Sequence, residues 1–288
     1  MFLVKKLVLA IMMMAFCSVG FAQTPGAVSG AKQTEGAALA QKRGPQDASL
    51  GSPFTATCSF TFTSGSKNSF LKYCVTTNGN VVQFESPQGH EHIAVFDITE
   101  GYGVCDFTNS DNEVAYFDYA GQGDSGNWGP ASVVSHSSKS IKIARTTSDG
   151  VWTLTQTISQ MAGPSPSAQI AMALKNNTAV DRVALLLRDA DVDADGQISN
   201  NLDSTFLGAF GWNSASGPHP FGLGLESVGI FSDVQSGVAL GDPNGPNPCS
   251  TEFVPGLYTA TDGSIAMLYA LNISANSSKT VTVAYRGF

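Results

Sequence analysis

Residues 151–174 read VWTLTQTISQMAGPSPSAQIAMAL. In the first run, Trp152, Leu154 and Ile158 fall on one side of an extended chain and Thr153, Thr155 and Thr157 on the other. After AGPSP at 162–166, Ile170, Met172 and Leu174 again share a side. Period-two alternation carried by β-branched and aromatic residues marks a strand with one buried face. The Gly and Pro residues between the runs supply a chain reversal. The two runs therefore read as neighbouring antiparallel strands.

The same grammar extends outward. TVTVAY at 280–285 sets Val281, Val283 and Tyr285 against Thr and Ala. Asn78-Gly79 lies between YCVTT and NVVQFES, and Asp149-Gly150 between IKIARTT and VWTLTQT. Both dipeptides tolerate positive φ, and the expectation is a two-residue hairpin turn at each. No amphipathic pattern of three helical turns follows residue 50. Roughly 14 strands are expected, and open sheets of that size split into two packed layers. The expected fold is all-β: a large antiparallel β-sandwich over 51–288. The segment 206–224 (FLGAFGWNSASGPHPFGLG) interrupts the alternation and reads as long loops, or bulged strands, carrying aromatic residues.

The first residues read as a processing signal. Lys5 and Lys6 precede the apolar run LVLAIMMMAF (7–16), and Gly20-Phe21-Ala22 offers small residues before Gln23. The run is shorter than the about 20 residues of a membrane span. The expectation is a signal peptide over 1–22, a disordered linker over 23–50, a secreted or periplasmic mature chain, and no membrane span after cleavage. Two of the 15 basic residues lie in 1–22 and none of the 23 acidic ones, so the net charge moves from −8 to −10 on cleavage. Such a balance excludes nucleic acid as a natural partner.

Of five cysteines, Cys58, Cys74, Cys105 and Cys249 follow residue 22. An even number in an exported chain implies disulfides. If FTATCSFTFT (54–63) and FLKYCVTT (70–77) pair around Ser66, Cys58 stands directly opposite Cys74. Cys105 is then left to Cys249.

The densest group of oxygen ligands is RDADVDADG at 188–196. Asp191, Asp193, Asp195 and Gly196 spell D-x-D-x-D-G, which resembles the first half of helix-loop-helix calcium sites. Gln197 offers a carbonyl at the seventh position. The twelfth position is Leu202 instead of the clamping Glu, and Asp203 follows it. A strand (VALLLRDA) enters the loop where such sites have a helix. The expectation is a structural Ca²⁺ held by Asp191, Asp193, Asp195, Gln197 and Asp203.

His90-Glu91-His92 places two imidazoles on one face if extended, with Glu85 or Glu100 as third ligand. The pair is similar to the H-x-H of cupin metal sites, but the glutamate comes too late for that pattern and no second histidine box follows. No G-x-S-x-G is present. Glu85, Glu100, Asp118, Asp124 and Glu226 are conceivable as paired acids for glycoside hydrolysis. Trp128 (SGNWGP) and Trp212 (FGWNS) sit in glycine-rich polar settings and are the expected ligand-stacking rings. The sequons at Asn176, Asn272 and Asn276 matter only where a host glycosylates them.

These readings favour a non-catalytic module binding carbohydrate or a surface polymer, with a polysaccharide or cell-surface glycan as partner. The alternatives are a carbohydrate-active enzyme on the same scaffold and a structural envelope or matrix protein.

Overall fold

A computed structural model describes residues 57–93, 99–109, 112–121, 123–213, 220–229, 233–240, 245–254 and 256–288. The expected signal peptide and linker lie outside these residues. The regular structure of the described chain is nearly all strand, in three antiparallel sheets. The first has the order β1 (Phe60–Ser64), β2 (Leu71–Val75), β3 (Val81–Glu85). The second runs β15 (Val234–Ala239), β17 (Ser264–Ile273), β11 (Arg182–Asp191), β4 (Glu100–Asp106), β5 (Val114–Tyr119), β6 (Gly123–Asp124). The third begins with β16 (Tyr258–Thr261), β12 (Asn200–Ser204), β13 (Gly208–Asn213), β14 (Gly222–Ser227) and β18 (Ser278–Gly287). It continues through β10 (Ser167–Asn176), β9 (Trp152–Met161), β8 (Ser140–Thr146) and β7 (Ser132–His136). The only helical pieces among the described residues are two 3-10 turns, at Lys67–Ser69 and Ala194–Gly196.

The 151–174 stretch behaves as its pattern dictates. β9 and β10 pair antiparallel, with Ile158 opposite Ile170 and Leu154 opposite Leu174. Trp152, Leu154, Ile158, Ile170, Met172 and Leu174 are all buried. On β18, Val281, Val283 and Tyr285 are buried too. One apolar cluster joins these residues to Phe62, Tyr73 and Phe84 of the three-stranded sheet and to Tyr102, Val104 and Leu186 of the six-stranded sheet. Removing the inner face of every sheet from water is the main term favouring the fold.

Several local expectations change. Among the described residues eighteen strands stand where roughly 14 were expected. The Asn78-Gly79 reversal is longer than two residues, because Thr76 N–H already donates to Asn80 O, leaving three between. At Asp149-Gly150, Thr147 N–H donates to Trp152 O, leaving four. Asp149 organises that loop: its carboxylate accepts from Thr147 Oγ1 (2.6 Å), Val151 N–H (3.0 Å) and Tyr116 Oη (2.6 Å).

The segment around 206–224, expected as long loops or bulged strands, contributes two regular strands, β13 and β14; residues 214–219 are outside the described set. Its glycines permit close approach. A Cβ on Gly211 would lie 2.8 Å from Val192 Cγ1, so the loop after β11 packs directly on β13.

Both disulfides are present, Cys58–Cys74 and Cys105–Cys249. The register behind the first differs from expectation. Thr61, not Cys58, stands opposite Cys74, so the bridge runs diagonally from the residues leading into β1. Cys105–Cys249 joins residues 144 apart and fastens the 245–254 segment to β4. Pro248 also packs over Gly103, and Tyr119 Oη donates to Pro246 O at 2.6 Å.

A bridge closing a long loop removes more unfolded-state entropy than one closing a short loop. Changing Cys105 and Cys249 together to Ala is expected to cost about 4–5 kcal/mol, against about 3 for the Cys58–Cys74 pair. Urea unfolding of the two double variants checks the ranking.

Candidate functional site

The acidic candidates fall into two buried polar nodes and two surface contacts. Glu100, on β4, is fully buried and paired with the equally buried Arg188 of β11. Its carboxylate also accepts from Val81 N–H (2.5 Å) and Tyr285 Oη (2.9 Å). Burial pushes the Glu100 pKa up, while Arg188 and the two donors oppose that. The second node is Asp118 of β5, paired with Arg145 of β8, which also holds Asp124 at 2.5 Å. Burial raises the Asp118 pKa as well, against the pull of Arg145. At the surface, Glu85 accepts from Gly89 N–H at 2.7 Å, and Glu226 lies 3.3 Å from Arg286. The two carboxyls with raised pKa values are thus sealed in the core, 0% and 4% exposed, out of reach of any substrate.

The two metal-like motifs meet in space. β11 ends at Asp191, and the 3-10 turn that follows holds Asp195 at φ 59. Asp193 N–H donates to His92 O at 3.0 Å and Asp195 N–H to Glu91 O at 2.8 Å. The Asp195 carboxylate then meets His90 Nδ1 at 2.6 Å. The His90 ring stacks on Phe221, centroids 3.5 Å apart. Glu91 Oε1 accepts from Phe84 N–H and Ile93 N–H, closing the segment on itself. Asn200 fills the other side, its Nδ2 donating to Val192 O and Gln197 O, both at 2.6 Å. The result is a clasp between the 86–93 segment and the end of β11.

The clasp reassigns the individual residues. His90 and His92 do not point at one ligand: His92 is buried with Nε2 on Ser86 O at 2.9 Å, and burial lowers its pKa. Gln197 supplies its carbonyl to Asn200. Asp203 Oδ1 accepts from Ser204 N–H at 2.8 Å. Asp191, Asp193 and Asp195 do not bring three carboxylate oxygens within 4.8 Å of one another. Among the described residues the one such trio is Cys105, Glu113 and Cys249, and its two sulfurs are bonded to each other.

The two tryptophans part company. Trp128 is only 7% exposed, which corrects the expectation of a ligand-stacking ring. It lies edge-on to Tyr102 and Tyr116, with the Arg145 guanidinium 5.5 Å from its centroid. Its ring serves the core because Arg145 has to be covered as well as paired. Trp212 is half-buried on the outer face of β13. It does not stand alone. Phe210 is two residues earlier on the same face, and Phe288, 44% exposed, closes onto Gly222 by paired backbone hydrogen bonds.

Glycines make the floor beneath these rings. The space above Gly222 is taken by Trp212 Cβ and the tip of the Phe288 ring, each 2.7 Å from where a Cβ would sit. Phe210 covers Gly224 and Gly208 in the same way, at 3.0 and 3.1 Å. Phe210 and Phe288 meet edge to face with centroids 6.3 Å apart. Around the three rings lie Asn201 and Asp203 of β12, opposite Trp212 and Phe210, with Glu226 and Arg286 beyond. Phe210 and Phe288 were not singled out as site residues from the sequence; the period-two spacing of Phe210 and Trp212 was the available signal.

No protein-family model matches this chain. No curated protein matches it in sequence. Solved structures similar to it include the Slr1438 protein of Synechocystis sp. PCC 6803, at 10% identity over 81% of this chain and 97% of that one, TM-score 0.46. Another is a galactose mutarotase related enzyme from Lactobacillus acidophilus, at 7% identity over 80% and 97%, TM-score 0.42. A likeness of this size carries no activity from either protein to this chain.

Replacing Arg145 with Met leaves Asp118 buried without its cation, a loss expected near 3–5 kcal/mol at pH 7. Asp124→Asn, at a partly exposed partner, is expected to cost under about 1 kcal/mol. The sign with pH follows from the raised Asp118 pKa. A buried acid that holds its proton more tightly when folded loses stability as pH rises through the carboxylate range. The Arg145→Met deficit is therefore expected to be smaller at about pH 4 than at pH 7 in urea unfolding.

Proposed function

We propose that this chain is an exported, non-catalytic β-sandwich that binds carbohydrate or a surface polymer on the outer face of β12, β13, β14 and β18. The observation carrying this reading is the set of three partly exposed rings, Phe210, Trp212 and Phe288, over a floor of Gly208, Gly222 and Gly224. A sugar ring has an apolar C–H face and a hydroxyl rim. It is matched by aromatic carbon flanked by hydrogen-bonding groups. Here Asn201, Asp203, Glu226 and Arg286 stand at the flanks.

The absence of catalysis in this reading rests on where the acids lie. Glu100 and Asp118, with raised pKa values, are enclosed in ion pairs, and Glu226 and Asp203 lie on an open sheet face. Export accords with two disulfides, which belong to oxidising compartments. No helix among the described residues is long and apolar enough to cross a membrane.

Calcium enters this reading as a competitor. An ion bound by the 191–203 loop has to take Asp195 from His90. If it does, millimolar Ca²⁺ raises the melting midpoint, and raises it further in His90→Gln; no shift in either protein removes calcium from the account.

The binding reading is tested on a glycan array run with and without EDTA. A glycan bound by the native chain is expected to lose about tenfold in affinity, about 1.4 kcal/mol, in Trp212→Ala. Trp128→Phe is expected to leave the affinity unchanged while lowering stability. No glycan bound in either condition would refute the reading.

A further inference from the structure

The aromatic corner is one end of a larger face. On β8, β9, β10 and β18 the buried residues alternate with outward ones, and the outward ones at the centre are small, with Lys142, Met161, Gln169, Lys175 and Arg286 around them. Thr153, Thr155 and Thr157 follow one another along β9, all half-exposed. Across the strands, Ala144, Thr155, Ala173 and Thr280 stand in one register row. The next row adds Thr157, Ala171 and Thr282, with Lys142 at its end. No acidic residue and no aromatic ring points outward from these four strands.

A half-exposed sheet face normally carries long charged side chains that keep it soluble. This one carries methyl and hydroxyl groups at the sheet's own repeat, about 4.8 Å between strands and about 6.8 Å along each. Thr146 and Thr153 already join across strands, Oγ1 to Oγ1, at 2.9 Å. Threonine on a strand has a restricted χ1, so the hydroxyls are held in place before any ligand arrives. Along β18 the same side of the strand runs from Thr280 and Thr282 past the buried Ala284 to Arg286, next to the rings.

We propose that this threonine–alanine face seats the ordered outer surface of an insoluble, uncharged polysaccharide, with the aromatic corner as its anchor. The inference rests on the carbohydrate reading above and specifies the occupant. A packed polysaccharide presents repeated hydroxyls and C–H groups over many chains at once, which a broad face of short side chains can follow. A free oligosaccharide needs only the three rings. The polymer is neutral because the face has no acid to hold a cationic sugar, and its cations, Lys142, Lys175, Lys279 and Arg286, stand at its rim, away from the Thr155 and Ala173 row.

The test is co-sedimentation with microcrystalline cellulose and with chitin particles, alongside calorimetry with soluble oligosaccharides of the same polymers. Thr280→Lys alters an exposed position, and Thr155→Lys the centre of the row; unchanged melting midpoints verify folding, and Thr280→Lys alone decides if the other unfolds. The expected result is a tenfold or greater loss of binding to particles in the Thr→Lys variants with unchanged oligosaccharide affinity. Trp212→Ala is expected to lose both. Native-like particle binding in Thr280→Lys overturns the inference. So does a dimer in sedimentation velocity that the same substitution dissociates, since a second copy would then be the occupant. Oligosaccharide binding without particle binding overturns the inference alone. Binding to neither form overturns the inference as well, and the glycan array then decides the carbohydrate reading separately.

Discussion

The ion pair of Arg188 and Glu100 fixes how the three sheets meet. Both residues belong to neighbouring strands of the six-stranded sheet, and neither has any exposed side-chain surface. Arg188 Nη1 donates to Gln156 Oε1 of β9 at 2.7 Å, and both terminal nitrogens reach Gly79 O in the loop before β3. Glu100 takes Val81 N–H from the three-stranded sheet and the Tyr285 hydroxyl from β18. The guanidinium also lies 6.0 Å from the Tyr102 ring and 5.9 Å from the Tyr285 ring. Desolvating such a pair costs several kcal/mol per ion, which good geometry and further hydrogen bonds must offset. Apolar contact alone has no direction, so it distinguishes less sharply between neighbouring arrangements of the layers. A buried charge whose partners come from three sheets is directional, so the node specifies one arrangement among many.

Asp118 and Arg145 repeat the device nearby. Arg145 comes from the nine-stranded sheet, Asp118 from the six-stranded one, and Asn78 and Asn80 of the β2–β3 loop donate to the Asp118 carboxylate at 2.8 and 3.3 Å. Trp128 covers the guanidinium. Two nodes of this kind hold Glu100, Asp118 and Asp124 in ion pairs on the inner side of the sheets, and they leave the outer sheet face free of them. The face departs from ordinary solubility chemistry, with glycine, alanine, threonine and three aromatic rings.

Much of the fold is written in the alternation of single strands, because burial of one face is a local property of period two. β9, β10 and β18 are legible at that level, including which residues face inward. Hairpin lengths were less legible: Thr76, Thr147 and Asp149 close their loops with side chains, lengthening turns that the Asn-Gly and Asp-Gly dipeptides alone would make short. The β13–β14 strands were obscured because glycine carries no face preference of its own; neighbouring Phe210 and Phe288 supply what the glycines lack. Gln156 within TLTQT and Arg188 within LLLRD are polar residues in apolar series. Each signals a buried partner, but Glu100 and Tyr285 are 185 residues apart, and no local pattern names such partners. The aspartate run and the His90-Glu91-His92 motif were both conspicuous, and their meeting through Asp195 and His90 is likewise tertiary.

The central claim is that one buried charge pair holds three sheets in a single cooperative unit. It is most directly tested by a double-mutant cycle on Glu100→Gln and Arg188→Met, followed by unfolding and amide hydrogen exchange. Each single variant is predicted to lose about 3–5 kcal/mol, and the double variant clearly less than their sum. Exchange protection in the singles should fall together at Val81, in β9 and in β18. Additive losses, or protection lost in the six-stranded sheet alone, would contradict the account.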